Sequence, residues 1–394
     1  MNSPKHLFNL FYIFICITWV PIQRYYLQVD GAGRTILALS LLAVLFNIGE
    51  IQKRRHIFRS PAFICWNLLV LFSMINSFLK GFISEWGTLA FYQVNYIVPY
   101  VTLVTLIVEL DINKKRCLRV LLWALMTFVF IGFIHMAGDT GERMEAEELG
   151  NALPLNAVCA LLVSAFLYTQ YRMKNFIFFT IVAILFLLII ASGTRKALGA
   201  SVIILIGTIL SKNSRLTFSS ILQTTFWGLL IYYGIVYVLE HTLIGLRIVE
   251  SVELTDVVFT DNKPLNDLLL TILGDRATMY WQGWFIWLQH PITGIGVMNF
   301  MIVSGIPFRL HTEYMVQLCE NGLIGFILLV SVYYFLFKSI RRRKSMAMNT
   351  KIMILFTLFS LLFLNLTAWT YSAMFGMIFY GILYAEIYSQ KNNR

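Results

Sequence analysis

The amino-acid sequence predicts an all-α protein that crosses a membrane many times. Hydrophobic residues fill 58% of the 394 positions and charged residues only 13%, which is about half the usual charged fraction. Apolar runs close to the length that crosses a hydrocarbon core of about 30 Å recur along the whole chain. Because only a helix satisfies its own backbone hydrogen bonds in lipid, each run is predicted to be a transmembrane helix.

Twelve spans account for these runs. The first run, residues 7–20, has only Lys5 and His6 as basic residues ahead of it and no small-residue cleavage site after it. We therefore expect a retained helix rather than a removed signal peptide. The predicted spans cover residues 7–22, 35–51, 62–79, 88–108, 119–136, 153–170, 175–192, 197–211, 220–238, 313–337, 352–368 and 373–388.

The distribution of Lys and Arg predicts the orientation of the spans. If the N-terminus is inside, 21 of the 31 basic residues lie in inward segments and ten in outward segments. Basic residues are retained in cytoplasmic loops, so both termini are predicted to be cytoplasmic. The net charge of +11 then reflects topology, and no basic groove with an aromatic platform favours nucleic acid as a partner.

Loop lengths divide the chain into three predicted segments. Residues 1–238 carry nine spans, residues 239–312 form a long periplasmic loop with short amphipathic helices, and residues 313–394 hold three spans and a cytoplasmic tail. A second outward loop, "AGDTGERMEAEELGN", is acidic and fits a solvated charged turn. The five cysteines form neither a disulfide framework nor a ligand-spaced cluster with histidine, so no metal site is predicted.

The ten outward basic residues run against the insertion bias and need another explanation. They are Arg24, Arg34, Lys80, Arg143, Arg195, Lys196, Arg247, Lys263, Arg276 and Arg309. The stretch "ASGTRKALGA" puts Arg195 and Lys196 between two adjacent spans, at the level of the lipid headgroups. Two interpretations stay open for this pair: cations that anchor the helices at the interface, or a site for an anion such as a lipid phosphate.

The stretch "GDRATMYWQGWFIWLQHPITGIG" predicts a helix in the long loop. Asp275 fits its N-cap, Arg276 falls in its first turn, and the proline and glycines end it. A bound anion would be favoured beside Arg276, since a helix N-terminus attracts negative charge. Tyr280, Trp284 and Trp287 share one face, which suits either contact with lipid or stacking on carbohydrate.

The stretch "GIPFRLHTEYMVQLCENGLIGF" places Arg309, His311 and Glu313 directly ahead of a span. Glu313, Gln317 and Glu320 fall on one face of that helix, at spacings of four and three residues. Polar side chains are costly inside a membrane helix. This face is therefore predicted to point into a cavity or the protein interior.

The three stretches described above, taken in their order along the chain, resemble the O-antigen polymerase and ligase superfamily of bacterial surface-polysaccharide assembly. The motifs are "SGTRKAL" between two spans, "DR" with two tryptophans and "HPITGIGVMNF" in the long loop, and "HTEYMVQLCENGLIGF" leading a span. The resemblance implies a metal-independent glycosyltransferase without a cofactor. It would act at the periplasmic face of the inner membrane, moving a glycan from undecaprenyl pyrophosphate to a sugar hydroxyl.

The resemblance assigns catalytic roles to Arg195, Arg276 and His311. Pyrophosphate leaves already charged, so it needs fixed cations, and arginine offers a planar fork to phosphate oxygens. The attacking hydroxyl needs a proton acceptor, for which we expect His311, with Glu313 as the alternative. Many members carry asparagine after the histidine, whereas this chain has Thr312. The contacts that the asparagine side chain makes in those members are therefore not carried over. The expected substrate-binding residues are Lys196, Arg309, Glu313, Tyr314 and Trp284.

Three functions remain as hypotheses at this stage. A polymerase joins repeat units on the carrier lipid, and the motifs favour it over a ligase, which moves the finished polymer to lipid A core. A flippase or transporter also suits twelve spans, but acidic residues in mid-span are scarce and no internal repeat is found. The expected partners are undecaprenyl-pyrophosphate-linked glycans, membrane lipid and a chain-length regulator protein.

Overall fold

The structure is a computed structural model that describes residues 3–22, 32–81, 96–138, 147–192, 194–212, 276–306, 310, 312–366, 368, 370–371 and 373–389. Over these residues the chain is all-α, without strands. The helices are α1 (Pro4–Ile22), α2 (Ala32–Lys53), α3 (Arg55–Phe58), α4 (Pro61–Lys80), α5 (Val98–Gly138), α6 (Glu147–Tyr171), α7 (Asn175–Ala191), α8 (Arg195–Lys212), α9 (Arg276–Gln289), α10 (Phe300–Ser304), α11 (Glu313–Arg342), α12 (Met348–Asn365) and α13 (Met374–Tyr388). The predicted all-α class is confirmed for the described residues.

Helices lie where the apolar runs predicted them. Only the span predicted at 220–238 falls wholly outside the described residues, and α5 joins two predicted spans across a non-helical Asn113. Five described segments are long and apolar enough to cross a membrane: Ile36–Lys53, Pro61–Lys80, Leu153–Tyr171, Glu313–Arg342 and Met348–Asn365. The chain is therefore an all-α membrane protein. Its twelve spans and its orientation stay predictions.

The outer surface of the bundle is apolar. Side chains such as Phe78, Trp123 and Phe176 are between 72% and 81% exposed, although they are large and hydrophobic. A protein in water would bury such groups, whereas lipid tails solvate them. By contrast, α6 is buried along most of its length and α13 is buried on every side, so these two helices lie in the centre of the bundle.

Close packing joins α8 to α12. A β-carbon at Gly199 or Gly207 would overlap the ring of Phe363 or Phe356, so the absence of a side chain lets the two helices approach. The hydroxyl of Ser360 donates to the carbonyl of Ala200 across the same interface, at 3.2 Å. The start of α8 consequently lies beside the end of α12.

Loops predicted to face the cytoplasm meet at one end of the bundle. Arg54 donates to Asp111 at 2.8 Å, and the Lys114 ammonium lies 2.9 Å from Glu386. The guanidinium of Arg343 donates to backbone carbonyls at the end of α13. These contacts group basic segments that are far apart in sequence, as a shared side of the membrane would require.

Candidate functional site

The start of α11 is built around a buried carboxylate. Glu313 is the first residue of the helix, and its side chain is fully buried. Its Oε1 accepts a hydrogen bond from Gln317 at 2.9 Å, while its Oε2 accepts from the backbone N–H groups of Thr370 and Tyr371 at 2.7 and 3.3 Å. The carboxylate thus ties the start of α11 to the segment between α12 and α13.

The polar face of α11 points into the protein, as its spacing predicted. Gln317 is completely buried and Glu320 is 5% exposed. The side chain of Asn321 donates to Gln317 at 2.9 Å, which extends a ladder of hydrogen bonds along one helix face from Glu313. Each hydrogen bond of this ladder pairs a polar group inside the bundle, which lowers the free-energy cost of burying that group.

A second buried network adjoins this ladder. Asn365 at the end of α12 donates to the hydroxyl of Tyr333 and accepts from Thr370. The hydroxyls of Tyr333 and Tyr380 lie 2.5 Å apart, in hydrogen-bond contact. Glu313 and Asn365 therefore hold the same residue, Thr370, one through its backbone and the other through its side chain.

A break in α11 is filled by the loop that follows α9. Gly322 interrupts the helix with φ 63° and ψ −163°. The N–H groups of Ile295 and Gly296 donate to the carbonyls of Cys319 and Glu320 at 3.0 and 2.9 Å, and the N–H of Leu323 donates to Pro291 at 2.8 Å. The "HPITGIG" stretch thus supplies the partners that the broken helix has lost, as irregular backbone at membrane depth requires.

Two asparagines fasten this junction to α4. The side chain of Asn76, near the end of α4, is buried and donates to the carbonyls of Thr293 and Glu320, at 2.7 and 3.0 Å. Asn299 donates to the carbonyl of Gly81, just past the end of α4, at 2.8 Å. The junction of α4, α11 and the loop is therefore held by hydrogen bonds rather than by apolar packing alone.

α9 packs alongside α11 and runs in the same direction. A β-carbon on Gly283, in the middle of α9, would touch Leu310 and Met315 near the start of α11, whereas the loop after α9 meets α11 further on, at Gly322. The start of α9 consequently lies at the same end of the bundle as the start of α11. Its first residue, Arg276, is in the first turn, as predicted.

The other face of α9 is largely aromatic and exposed. Trp281, Trp284, Phe285 and Leu288 are between 37% and 51% exposed, and Trp284 lies 4.7 Å from Trp287 between ring centroids. Of the predicted aromatic face, Trp284 and Trp287 lie together, whereas Tyr280 packs with the buried cluster between α9 and α11. The continuity of Trp284 with Phe285 and Leu288 favours contact with lipid at the membrane interface. Stacking of Trp284 on carbohydrate stays a prediction.

The start of α8 lies at this end too. α8 begins at Arg195 and its early turns pack on the last turns of α12, next to Asn365. The hydroxyl of Tyr314, which is half-buried, donates to the carbonyl of Leu362 at 3.5 Å. α12 therefore connects the start of α8 to the start of α11. Lys196 is buried, with 8% exposure.

The predicted site residues are described to different extents. Arg309 and His311 lie outside the described residues, and for Arg195 and Arg276 the structure describes the helix position but not the side chain. Their roles stay predictions. Glu313 lies among protein donors and not in an open cavity, which favours a positioning role over the role of base.

Sequence reasoning missed the residues that hold this end of the bundle together. Asn76 stands in the apolar run of a predicted span, and that cost alone is a signal that was available. Asn365 carried the same signal, since it also stands inside a predicted span, whereas Thr370 carried none, because it lies between two predicted spans. A comparison with models of known families finds no match for the chain, and neither does a comparison with characterised proteins.

Proposed function

We propose that this chain is a glycosyltransferase that polymerises surface polysaccharide at the periplasmic face of the bacterial inner membrane. Its donor is an oligosaccharide repeat unit on undecaprenyl pyrophosphate, and its acceptor is a hydroxyl of another lipid-linked unit. The observation that carries the proposal is that the starts of α8, α9 and α11 lie at one end of the bundle. The three motifs place their arginines and histidine at, or just ahead of, these helix starts.

The proposed reaction needs cations for the leaving group and a proton acceptor for the attacking hydroxyl, and the motifs at these helix starts contain both residue types. The acceptor oxygen attacks the anomeric carbon of the donor, and the bond from that carbon to the pyrophosphate oxygen breaks. The lipid pyrophosphate leaves with its negative charge, which Arg195 and Arg276 would stabilise together with the helix N-termini that carry them. His311 would take the proton of the attacking hydroxyl.

The hydrogen-bonded scaffold around Glu313 explains how the catalytic side chains would be held at fixed positions relative to one another. Transfer depends on a geometry held to within about half an ångström. Glu313 fixes the residues between α12 and α13, the Gly322 junction fixes α9 against α11, and α12 connects both to α8. We therefore assign Glu313 to positioning in this proposal, and His311 to proton transfer.

The lipopolysaccharide of a strain that lacks this protein tests the proposal. Loss of the ladder with a single repeat unit still on the core supports a polymerase. Bare core with finished polymer on the carrier lipid identifies a ligase instead. Units that accumulate at the cytoplasmic face identify a flippase, and either of these two results overturns the polymerase. Restoration of the ladder by the wild-type chain is the control.

A further inference from the structure

An open groove lies at the end of the bundle opposite to the starts of α8, α9 and α11. It has a volume of about 570 Å³ and is formed where α3, the segment after α11 and the end of α13 meet. Its lining includes His56, Arg342, Arg343, Lys344 and Ser345. The groove shares no lining residue with the site described above.

Among its described lining residues, the groove carries positive charge that no negative charge offsets. None of those residues is a carboxylate. The acidic groups near it already have basic partners, since Glu386 pairs with Lys114 and Asp111 pairs with Arg54. Burial lowers the pKa of His56, so the charge in the groove at neutral pH comes from Arg342, Arg343 and Lys344. An anion that entered the groove would meet three cations.

Arg343 differs from the other two cations because it is part of the wall. Its guanidinium donates to the carbonyls of Glu386, Ile387 and Ser389, which closes the last turn of α13. Arg342 and Lys344 are exposed, and neither forms an ion pair with another residue in the described part of the chain. They are the side chains available to a ligand.

The depth of the groove points to the chemistry of its ligand. Arg342 is the last residue of α11, which is long and apolar enough to span a membrane. The groove therefore lies where the span leaves the hydrocarbon, at the level of lipid phosphates. Basic pockets in this position between transmembrane helices recognise phosphate headgroups.

We propose that this groove is a binding site for a phosphate group, carried by an anionic phospholipid or dissolved in water. Two exposed cations beside the hydrogen-bonded guanidinium of Arg343 suit an oxyanion with several acceptor oxygens. The site is independent of the glycosyltransferase proposed above, because it uses other residues at the other end of the bundle.

Binding of phosphatidylglycerol to the detergent-solubilised full chain tests the proposal, with the lipid-bound fraction measured by native mass spectrometry. The test variant is Arg342→Gln with Lys344→Gln. The control is Arg341→Gln with Lys351→Gln, which removes the same charge from the same region without touching the groove. Each basic residue near an anionic lipid contributes about 1 kcal/mol, so we expect about 30-fold weaker binding in the test variant and little change in the control.

A competition measurement identifies the source of the phosphate, and a thermal-unfolding control excludes misfolding of the variants. Binding of phosphatidylglycerol but not inorganic phosphate assigns the groove to a lipid headgroup, and competition by inorganic phosphate assigns it to a dissolved anion. Equal loss in the test and control variants, or equal binding of phosphatidylcholine, overturns the proposal. Thermal unfolding without lipid must be the same in all variants, because Arg341, Arg342 and Lys344 are exposed and Lys351 is partly exposed.

Discussion

At the residue scale, Glu313 shows how a costly group is kept in a membrane protein. A buried carboxylate is tolerated when its oxygens are hydrogen-bonded, and both oxygens of Glu313 accept from protein donors. One of these donors, Gln317, is itself held by Asn321. The three side chains therefore behave as one unit, and a substitution at Glu313 acts on the whole ladder.

Glu313→Gln should be much milder than Glu313→Ala. An amide at this position can still accept from the backbone of Thr370, and the amides of Gln317 and Asn321 can rotate to restore the ladder. Alanine leaves buried N–H groups without acceptors, each at a cost of about 1–3 kcal/mol. The midpoint of thermal unfolding in detergent measures the difference, and Ile327→Ala, at an exposed position of α11, is the control. If glutamine is as harmful as alanine, the hydrogen-bond ladder does not account for the contribution of Glu313 to stability.

Arg195→Lys and Arg276→Lys should each damage polymerisation almost as much as alanine. A lysine ammonium is a point charge and cannot reproduce a two-pronged contact with phosphate. Lys196→Ala should be milder, because Arg195 would still cover the anion. The length of the lipopolysaccharide ladder in a complemented deletion strain measures activity, with protein level checked in the same membranes. Retention of most activity in both lysine variants would make these arginines interfacial anchors.

At the element scale, the break in α11 explains the "NG" of its motif. A β-carbon on Gly322 would overlap the carbonyl of Ile292, and one on Gly294 would overlap the backbone of Glu320. Both glycines also have positive φ, which side chains disfavour. Two glycines facing each other thus allow the loop after α9 to enter the helix break, and this junction sets the position of α9 along α11.

Gly322→Ala should lower stability well beyond the effect of a strained backbone alone. Gly81 is the matched control, because its φ of 67° and ψ of 159° lie in the same glycine-favoured region as those of Gly322, while the space around its α-carbon is open. Alanine at both positions meets a similar conformational strain, and only Gly322→Ala adds the steric clash. We expect Gly322→Ala to cost about 1–3 kcal/mol more, as in overpacked cores, seen as a lower midpoint of thermal unfolding. Equal midpoints would mean that the junction yields without cost.

At the scale of the whole molecule, the two ends of the bundle differ in what they carry. One end gathers the basic loops and their ion pairs, and the other gathers the helix starts of the three motifs. The positive-inside bias predicts that the first end is cytoplasmic. The proposed transfer at the periplasmic face depends on that orientation.

Thiol labelling in intact spheroplasts tests the orientation. A cysteine that replaces Asp261, in the long loop outside the described residues, should react with a membrane-impermeant reagent. A cysteine that replaces Ser345, in the basic loop after α11, should react only after lysis. The wild type gives a low background, since four of its five cysteines are buried and Cys65 is half-buried. The reverse pattern would contradict the orientation and the periplasmic site with it.

The sequence by itself determined the class of this protein and the positions of most of its helices. An apolar run of about twenty residues forms a helix in lipid whatever its neighbours are, because the backbone has no other way to satisfy its hydrogen bonds. The inward face of α11 was equally predictable from the spacing of Glu313, Gln317 and Glu320, since helical periodicity is a local property.

Only the tertiary structure decided what those inward groups contact. Glu313 meets backbone groups 57 and 58 residues further along the chain, and Asn76 meets carbonyls more than 200 residues away. The stretch after α9 was predicted only to end that helix, yet it also completes α11. Such pairings arise from how helices pack and not from the local pattern, because a buried polar group accepts whichever partner the fold brings within hydrogen-bond distance.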